Sequence, residues 1–332
     1  MVQHSARARW ARRVFTSPAL LVLLIAPFFG EGLTGSTPPF QLLVPWNLGF
    51  MILLYGCGAL ICREVMHRFG LGMTGLCFLG AAYGVYEEAL VDRYWFFPEF
   101  WETTGVGTYS VVWHTNVMLA VHLTAFHTAV SICLSVLVVE WAVPRARNRP
   151  WVGRRGLALA GAGLAVTPVL YGEFSQRPPI PVLIAAAALL AALVVAAFVL
   201  GRRRPARRPD DVRGRAGVGW TVFACAAAHA AATYAIPHTP VPWPLGVLIA
   251  LAPIVLAVVA VRHLSASGPY GPDGVRAGVG LLSLFIVSDL ALGVLIGPDM
   301  VLGALATAIA AIVLYRRKAR PRAVEPASGA TA

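Results

Sequence analysis

Residues 181–200 read PVLIAAAALLAALVVAAFVL, a run of 20 residues without a single charged, amide or hydroxyl side chain. A helix of this length rises about 30 Å, which matches the hydrocarbon core of a bilayer. Similar runs recur along the chain, of which 58% is apolar and only 13% charged, whereas soluble domains carry about 25% charge. Backbone polar groups must be satisfied inside lipid, and Ala, Leu and Gly are abundant, so we predict an all-α integral membrane protein.

The apolar runs predict about ten transmembrane helices, which would place both termini on the same side of the membrane. Of the 27 Lys and Arg residues, all except Arg93 and Arg177 fall on that side, and the positive-inside rule therefore predicts cytoplasmic termini. The first run lacks a small-x-small cleavage site, which predicts a retained helix. The predicted spans lie near residues 14–30, 44–61, 72–91, 113–142, 157–172, 181–200, 217–236, 244–261, 277–296 and 299–315.

The net charge of +12 is explained by these loops, so the predicted partner is the lipid bilayer, with anionic head groups at the basic cytoplasmic loops, and no nucleic acid. The chain has 26 Arg against the single Lys318, which is typical of a GC-rich bacterial gene and predicts a multi-pass protein of a prokaryotic plasma membrane. There is no G-x-x-x-x-G-K-[ST] motif, which argues against ATP-driven action by this chain alone. The oligomeric state is not indicated.

A change in composition near residue 143 predicts two modules. The first spans contain Glu, His, Asn and Tyr, while the later ones are mostly Ala, Leu, Val and Gly. We expect a polar four-helix module (1–142), a basic cytoplasmic linker (143–156), a six-helix Ala-rich module (157–315) and a cytoplasmic tail (316–332).

The second module carries a 61-residue repeat. Arg154, Arg215 and Arg276 each begin a similar entry into a helix, and PPIP at 178–181 precedes TPVP at 239–242 by the same spacing. The pattern predicts tandem helical hairpins; the alternative is six unrelated Ala-rich helices. His229 and Asp289 are the ionisable groups deep in these spans, and each is a functional candidate because such groups are costly in lipid. We weigh a His229–Asp289 pair against the favoured alternative, in which each bonds to a Ser, Thr or backbone carbonyl of a neighbouring helix.

A pair of carboxylates stands at the outer end of the third span, in YGVYEEALVDRYWFFPEFW (83–101). Neighbouring side chains point about 100° apart on a helix, so we expect one of Glu87 and Glu88 to face the bundle. Gly80 and Gly84 precede Glu88 at four-residue spacing and predict a smooth strip for another helix. Arg93, a histidine or a metal would compensate the charge of Glu88.

The fourth span supplies candidate partners in WHTNVMLAVHLTAFHTAVSICL, which holds His114, Asn116, His122 and His127. His122 and His127 are five residues apart, which separates them by about 140° and differs from the i, i+4 spacing of H-E-x-x-H metal sites. One helix therefore cannot chelate a metal alone, and glutamates of the third span would have to join. The predicted polar site comprises Glu87, Glu88, Arg93, His122 and His127, with Glu88, His122 and His127 as candidate ligands of a divalent metal. The alternative is that the histidines only pack.

Two family resemblances follow from these residues. Glu87-Glu88 near Arg93, followed by AFHTA around His127, resembles in part the CPBP intramembrane proteases, which carry E-E-x-x-x-R and F-x-x-x-H patterns. Here four residues separate Glu88 from Arg93, and Phe126 directly precedes His127. FFGEGLTGSTPPF (28–40), LYGCGALICREV (54–65) and LGAAYGVYEEAL (79–90) are similar to successive signatures of a family of uncharacterised prokaryotic multi-pass membrane proteins, over about residues 20–142. That resemblance implies a common architecture and no chemistry.

Three functions remain open from the sequence. The favoured one is a cation, proton or small-solute transporter or sensor with an outward-facing Glu/His site, which would lose pH-dependent uptake on Glu88→Gln. A CPBP-like metal-dependent protease would need a metal or activated water at the same residues. A membrane scaffold would lose only stability on that substitution.

Overall fold

The computed structural model describes residues 17–171, 177–202, 215 and 217–319, without the side chains of 318 and 319. The arginines before residue 17, those of 203–214 and the tail beyond 319 lie outside these residues, so the charge asymmetry is a sequence prediction at those positions.

The first half of the chain forms six helices and a short hairpin. Prolines stand in the first turn of several helices, where their missing N–H leaves no bond unmade. The elements are α1 (Pro18–Gly32), α2 (Pro39–Leu42), α3 (Pro45–Phe69), α4 (Gly72–Val85, continued by a π-helix over Tyr86–Val91), α5 (Pro98–Thr103), the antiparallel strands β1 (Val111–Val112) and β2 (Thr115–Asn116), and α6 (Val117–Ala142).

The second half consists of long helices joined by short connections. They are α7 (Arg154–Leu170), α8 (Ile180–Gly201), α9 (Gly217–Ala235), α10 (Trp243–Leu264), α11 (Pro272–Leu295) and α12 (Pro298–Arg317). Within the described residues, each predicted span overlaps a helix, although residues 14–16 and 172 of the predicted spans lie outside the described part of the chain.

Six of the described helices are long and apolar enough to cross a membrane, namely α3, α6, α8, α10, α11 and α12. Large apolar side chains cover their outer surfaces, as at Val294 and Leu295, which are 85% and 80% exposed. Such a surface is stable in lipid and not in water. The all-α, multi-pass membrane architecture is therefore confirmed.

The start of the fourth span differs from the prediction. Residues 111–116 form the β-hairpin, and α6 begins only at Val117. Trp113 and His114 form its turn at φ 46° and 61°, and the Asn116 side chain accepts a hydrogen bond from the N–H of Leu119 at 3.1 Å. Asn116 is thus the N-cap of α6, and His114 is an exposed turn residue outside the helix.

The glycine strip of α4 is where α6 packs, in agreement with the sequence prediction. A Cβ at Gly80 would lie 3.1 Å from the Cα of Thr128, and one at Gly84 would lie 3.1 Å from the Cα of Thr124. Only glycine permits backbones this close. The contact brings the carboxyl-terminal end of α4 against α6.

In the last two helix pairs, the two helices pack against each other, as the predicted hairpins require. α9 packs on α10 and α11 packs on α12, whereas α7 packs on α3 and α8 packs on α4. Gly201 of α8 lies against Gly75 of α4, and Gly163 of α7 lies against Leu53 of α3. The first pair of the repeat therefore joins the helices of the first half instead of folding back on itself.

A buried arginine closes the opposite end of the bundle from Glu87 and Glu88. Arg63 of α3 is fully buried and bonds to Glu64 at 2.9 Å and Glu140 of α6 at 3.2 Å. Its remaining N–H groups donate to the carbonyls of Ala146, Arg147 and Arg149, and its guanidinium stacks 4.1 Å over Trp151. This network joins α3, α6 and the connection to α7.

Candidate functional site

Four helices change from α to π hydrogen bonding at the same place in the bundle. π turns are rare and are frequent at functional sites. The π segments and the polar residues they carry are Phe28–Gly32 with Glu31, Ile52–Gly56 with Tyr55, Tyr86–Val91 with Glu87 and Glu88, and His127–Leu134 with His127.

Glu87, Glu88 and His127 form the centre of this cluster. The imidazole lies between the two carboxylates, with Nδ1 3.0 Å from Glu87 Oε2 and Nε2 2.7 Å from Glu88 Oε1. All three side chains are buried. Both glutamates therefore face the bundle, whereas the sequence predicted that one of them would. This is possible because the imidazole of His127 presents one nitrogen to each carboxylate.

The geometry of these three residues fits a metal ion. Each offers a ligand atom, and the three atoms lie within 4.8 Å of one another. Oε1 of Glu87 and Oε2 of Glu88 are buried without a hydrogen-bond partner among the described residues, while Oε2 of Glu87 keeps its 3.0 Å contact with His127 Nδ1. Ser131 Oγ lies 3.0 Å from His127 Nδ1, the kind of outer contact that orients a histidine whose other nitrogen binds a metal.

Glu31 is a member of the cluster that the sequence did not single out. Its Oε1 accepts a 2.6 Å hydrogen bond from the Tyr55 hydroxyl, and its Oε2 accepts one of 2.9 Å from Thr37. Glu31 interacts electrostatically with Glu87 and His127. The rings of Tyr55 and Tyr83 flank His127, with centroids 6.0 and 6.1 Å away.

Asp92 follows the π segment of α4 and was also missed. Its N–H donates to the carbonyl of Glu87 at 2.8 Å, and its carboxylate interacts electrostatically with Glu87, Glu88, Glu31 and His127. Its Oδ1 is buried without a hydrogen-bond partner in the described structure. A third carboxylate therefore follows the pair along the chain, outside the group of three residues that shares the 4.8 Å site.

Arg93 lies just beyond the carboxylates, where its φ of 62° turns the chain into a short 3-10 helix, Tyr94–Phe96. It interacts electrostatically with Arg177 and is not one of the three residues that share the 4.8 Å site. Burial, and after it the charge of Asp92, raises the pKa of Tyr94 above its ordinary value.

His122 belongs to a second polar cluster on another face of α6. Its Nδ1 lies 3.0 Å from His229 Nε2, and its Nε2 lies 3.1 Å from the Tyr234 hydroxyl. His229 Nδ1 lies 2.8 Å from the carbonyl of Ala250. A carbonyl only accepts, so with neutral rings His229 donates to Ala250, His122 donates to His229, and Tyr234 donates to His122. The structure thus joins His127, and not His122, to the glutamates.

His229 and Asp289, the two candidates deep in the spans of the second half, are not paired with each other. His229 bonds to a backbone carbonyl of α10, as the favoured alternative predicted. Asp289 is buried in α11, and neither of its oxygens has a hydrogen-bond partner among the described residues.

Comparison with known proteins gives a family without an assigned activity. The family described as an uncharacterized membrane protein family matches residues 20–324. The match covers both halves of the chain, beyond the residues 20–142 in which the sequence signatures lie. No curated protein and no solved structure matches. The chain belongs to this uncharacterized membrane protein family.

Proposed function

We propose that this protein binds a divalent metal ion at Glu87, Glu88 and His127 and acts as its transporter or sensor. The observation that carries the proposal is the group of three buried ligand atoms within 4.8 Å, whose carboxylates retain oxygens without a hydrogen-bond partner.

Buried carboxylates of this kind require a positive partner. A charged side chain at the centre of a bilayer costs about 2.5–3.5 kcal/mol on insertion scales, and a buried charge without a partner costs more. His127 is the ion-pair partner of both glutamates among the described residues. A single imidazolium offsets one of the two charges, and a divalent ion with a neutral imidazole offsets both.

The ligand types narrow the choice of ion. Carboxylates suit Mn²⁺ and imidazole suits Fe²⁺ and Zn²⁺, while thiolates, which select Cu(I), are absent from the three-residue group. The expected ion is therefore a first-row divalent cation of the Mn²⁺, Fe²⁺ or Zn²⁺ kind.

The proposed arrangement in the membrane has ten spans and cytoplasmic termini, in the plasma membrane of a prokaryote. The position of Arg93 and Arg177, alone on the side opposite the other basic residues, supports it. In this orientation the carboxylates stand near the outer surface, and the ion enters from outside. The polar module of 1–142 then holds the site, the basic linker 143–156 lies in the cytoplasm, and the helices of 157–315 support it, with α7 and α8 directly against the polar module. Basic loops and the tail of 316–332 lie against anionic lipid.

Metal-dependent hydrolysis within the membrane is the second candidate. The observation that favours it is the number of protein ligands, because three ligands leave an open position for water, as in catalytic zinc sites. The third hypothesis, a scaffold without catalysis or transport, does not account for buried carboxylate oxygens that lack hydrogen-bond partners.

The first experiment measures metal content by mass spectrometry on protein purified in detergent. Wild type and Glu102→Gln, an exposed glutamate of α5, are expected to hold metal, and Glu87→Gln/Glu88→Gln is expected to hold none. Uptake of the same ion into vesicles containing the purified protein then separates transport from hydrolysis. A metal-free wild type with a folded double mutant would refute the proposal.

A further inference from the structure

Two cysteine thiols meet across the contact between α4 and α6. The Sγ atoms of Cys77 in α4 and Cys133 in α6 lie 3.9 Å apart, and both residues are free thiols. The two sulfurs of a disulfide lie about 2.05 Å apart. A sulfur movement of about 2 Å therefore separates this pair from a covalent bond.

The close packing of the two helices keeps the thiols opposite each other. A Cβ at Gly80 of α4 would lie 3.1 Å from the Cα of Thr128 and 3.4 Å from the Cβ of Ile132 in α6. Cys77 comes about one turn before Gly80, and Cys133 directly follows Ile132 in the π segment of α6. We therefore expect rotation about the Cα–Cβ bonds, and not movement of the helices, to bring the sulfurs together.

The two thiols differ in their accessibility. Cys77 is exposed, whereas Cys133 is buried behind it. An accessible thiol beside a second cysteine is the arrangement of redox-active sites, in which the first thiol reacts and the second closes the disulfide. Cys62, a third cysteine that contacts α4, instead donates to the carbonyl of Leu79 at 3.6 Å. The geometry therefore favours Cys77 as the reacting thiol and Cys133 as its partner.

The position of Cys77 along α4 indicates which oxidant can reach it. In the proposed arrangement α4 crosses the membrane from the cytoplasm outward, beginning at Gly72. Cys77 then lies about five residues, or about 7.5 Å, into the span. An exposed side chain at this depth contacts lipid. Quinones are two-electron oxidants that dissolve in lipid, whereas glutathione disulfide remains in water.

We propose that Cys77 and Cys133 are a redox-active dithiol that a membrane quinone oxidises to a disulfide. Two S–H bonds break and one S–S bond forms, and the two electrons and two protons released reduce the quinone to a hydroquinone. The disulfide would join α4, which carries Glu87 and Glu88, to α6, which carries His127. The oxidation state of the quinone pool would thus determine whether this helix contact is covalent.

The test counts free thiols before and after contact with a quinone. Reduced wild-type protein in phosphatidylcholine vesicles is incubated with decylubiquinone or, in a parallel sample, with glutathione disulfide. It is then denatured and labelled with a polyethylene-glycol maleimide, which adds one mass step per thiol. With decylubiquinone we expect the count to fall from five to about three and to recover with dithiothreitol. Glutathione disulfide should leave the count unchanged.

Matched variants identify the pair that reacts. Cys77→Ser and Cys133→Ser should each keep all their remaining thiols in the presence of decylubiquinone. Cys225→Ser, which changes a cysteine of α9, should still lose two. In the oxidised wild type, mass spectrometry should find the peptide of Cys77 linked to that of Cys133.

Three results would overturn the proposal. They are an unchanged thiol count in quinone-treated wild type, a loss of two thiols that persists in Cys77→Ser, and oxidation by glutathione disulfide alone. Should Cys133→Ser fail to fold, the linked peptide of the wild type decides. The assay contains no metal ion, so its outcome is independent of the proposed metal binding.

Discussion

The N–H of Asp92 donates to the carbonyl oxygen of Glu87 at 2.8 Å, across five residues. This single backbone bond determines which side chains of α4 meet. An α-helical register would turn the side chain of Asp92 about 140° from that of Glu87, and the π register reduces this angle. Equivalent π segments in α1, α3 and α6 carry the remaining members of the cluster.

Replacing Ser131 should weaken metal binding without abolishing it. Ser131 Oγ lies 3.0 Å from His127 Nδ1, and loss of such an outer partner typically costs 10–100-fold in metal affinity. We expect that loss for Ser131→Ala by calorimetric titration with Zn²⁺, and no measurable binding for His127→Ala. Ser283→Ala is the control, since the Ser283 hydroxyl donates to the Val279 carbonyl of its own helix. Unchanged affinity in Ser131→Ala would contradict the assigned role.

An alanine at position 84 should destabilise the fold. Its Cβ would lie 3.1 Å from the Cα of Thr124 and 3.2 Å from the Cβ of His127. Overpacking of this kind costs about 1–3 kcal/mol in the free energy of unfolding, measurable by unfolding in dodecyl sulfate.

The matched control for this substitution is Gly161→Ala in α7. Nothing lies within 4 Å of a Cβ at that position, so the higher helix propensity of alanine should stabilise the helix by about 0.5–1 kcal/mol. Equal effects at both positions would show that the α4–α6 contact is less close than described.

Loss of Arg63 should be the most destabilising single change. Arg63→Ala leaves Glu64 and Glu140 buried without their partner, and breaking a buried ion pair costs about 3–5 kcal/mol. Arg63→Lys should not restore stability, because an ammonium cannot reproduce the planar set of bonds to three carbonyls. Arg154→Ala removes an exposed arginine and should have little effect; a comparable loss there would argue against the network.

The His122–His229 pair should contribute to stability and not to metal binding. A double-mutant cycle with His122→Ala and His229→Ala should give a coupling of about 0.6 kcal/mol, the average for hydrogen bonds between membrane helices. Metal content should remain that of the wild type in each variant. A loss of metal in His122→Ala would return His122 to the ligand set that the sequence suggested.

The positions of the helices could be predicted from the sequence, because runs of apolar residues report directly on length and lipid exposure. The glutamate pair, His127 and the glycine strip of α4 were also within reach. The sequence named both His122 and His127 as candidate ligands, although they are about 140° apart on α6. Which of them meets the glutamates depends on the packing of α6 against α4 and α9.

Asp92 could not be placed from the sequence, because α-helical periodicity turns it away from Glu87, and the π turn that reduces this angle carries no clear residue signature. Glu31 and Tyr55 lie on other helices, so their approach to Glu87 depends on tertiary packing. Arg63 was counted only as a topology signal, although it is fully buried. The burial of an arginine depends on the glutamate of a distant helix, Glu140, and on carbonyls of a loop.

The network around Arg63 makes the two ends of the α3–α6 pair mechanically unequal. At one end a guanidinium holds both helices and the following loop together, while at the other end the contact described between them is that of the Tyr55 and His127 rings, whose centroids lie 6.0 Å apart. We therefore expect these helices to separate more readily at the His127 end, with the Arg63 network as the pivot. In the proposed orientation, a metal ion bound by Glu87, Glu88 and His127 would then exchange from the outer face.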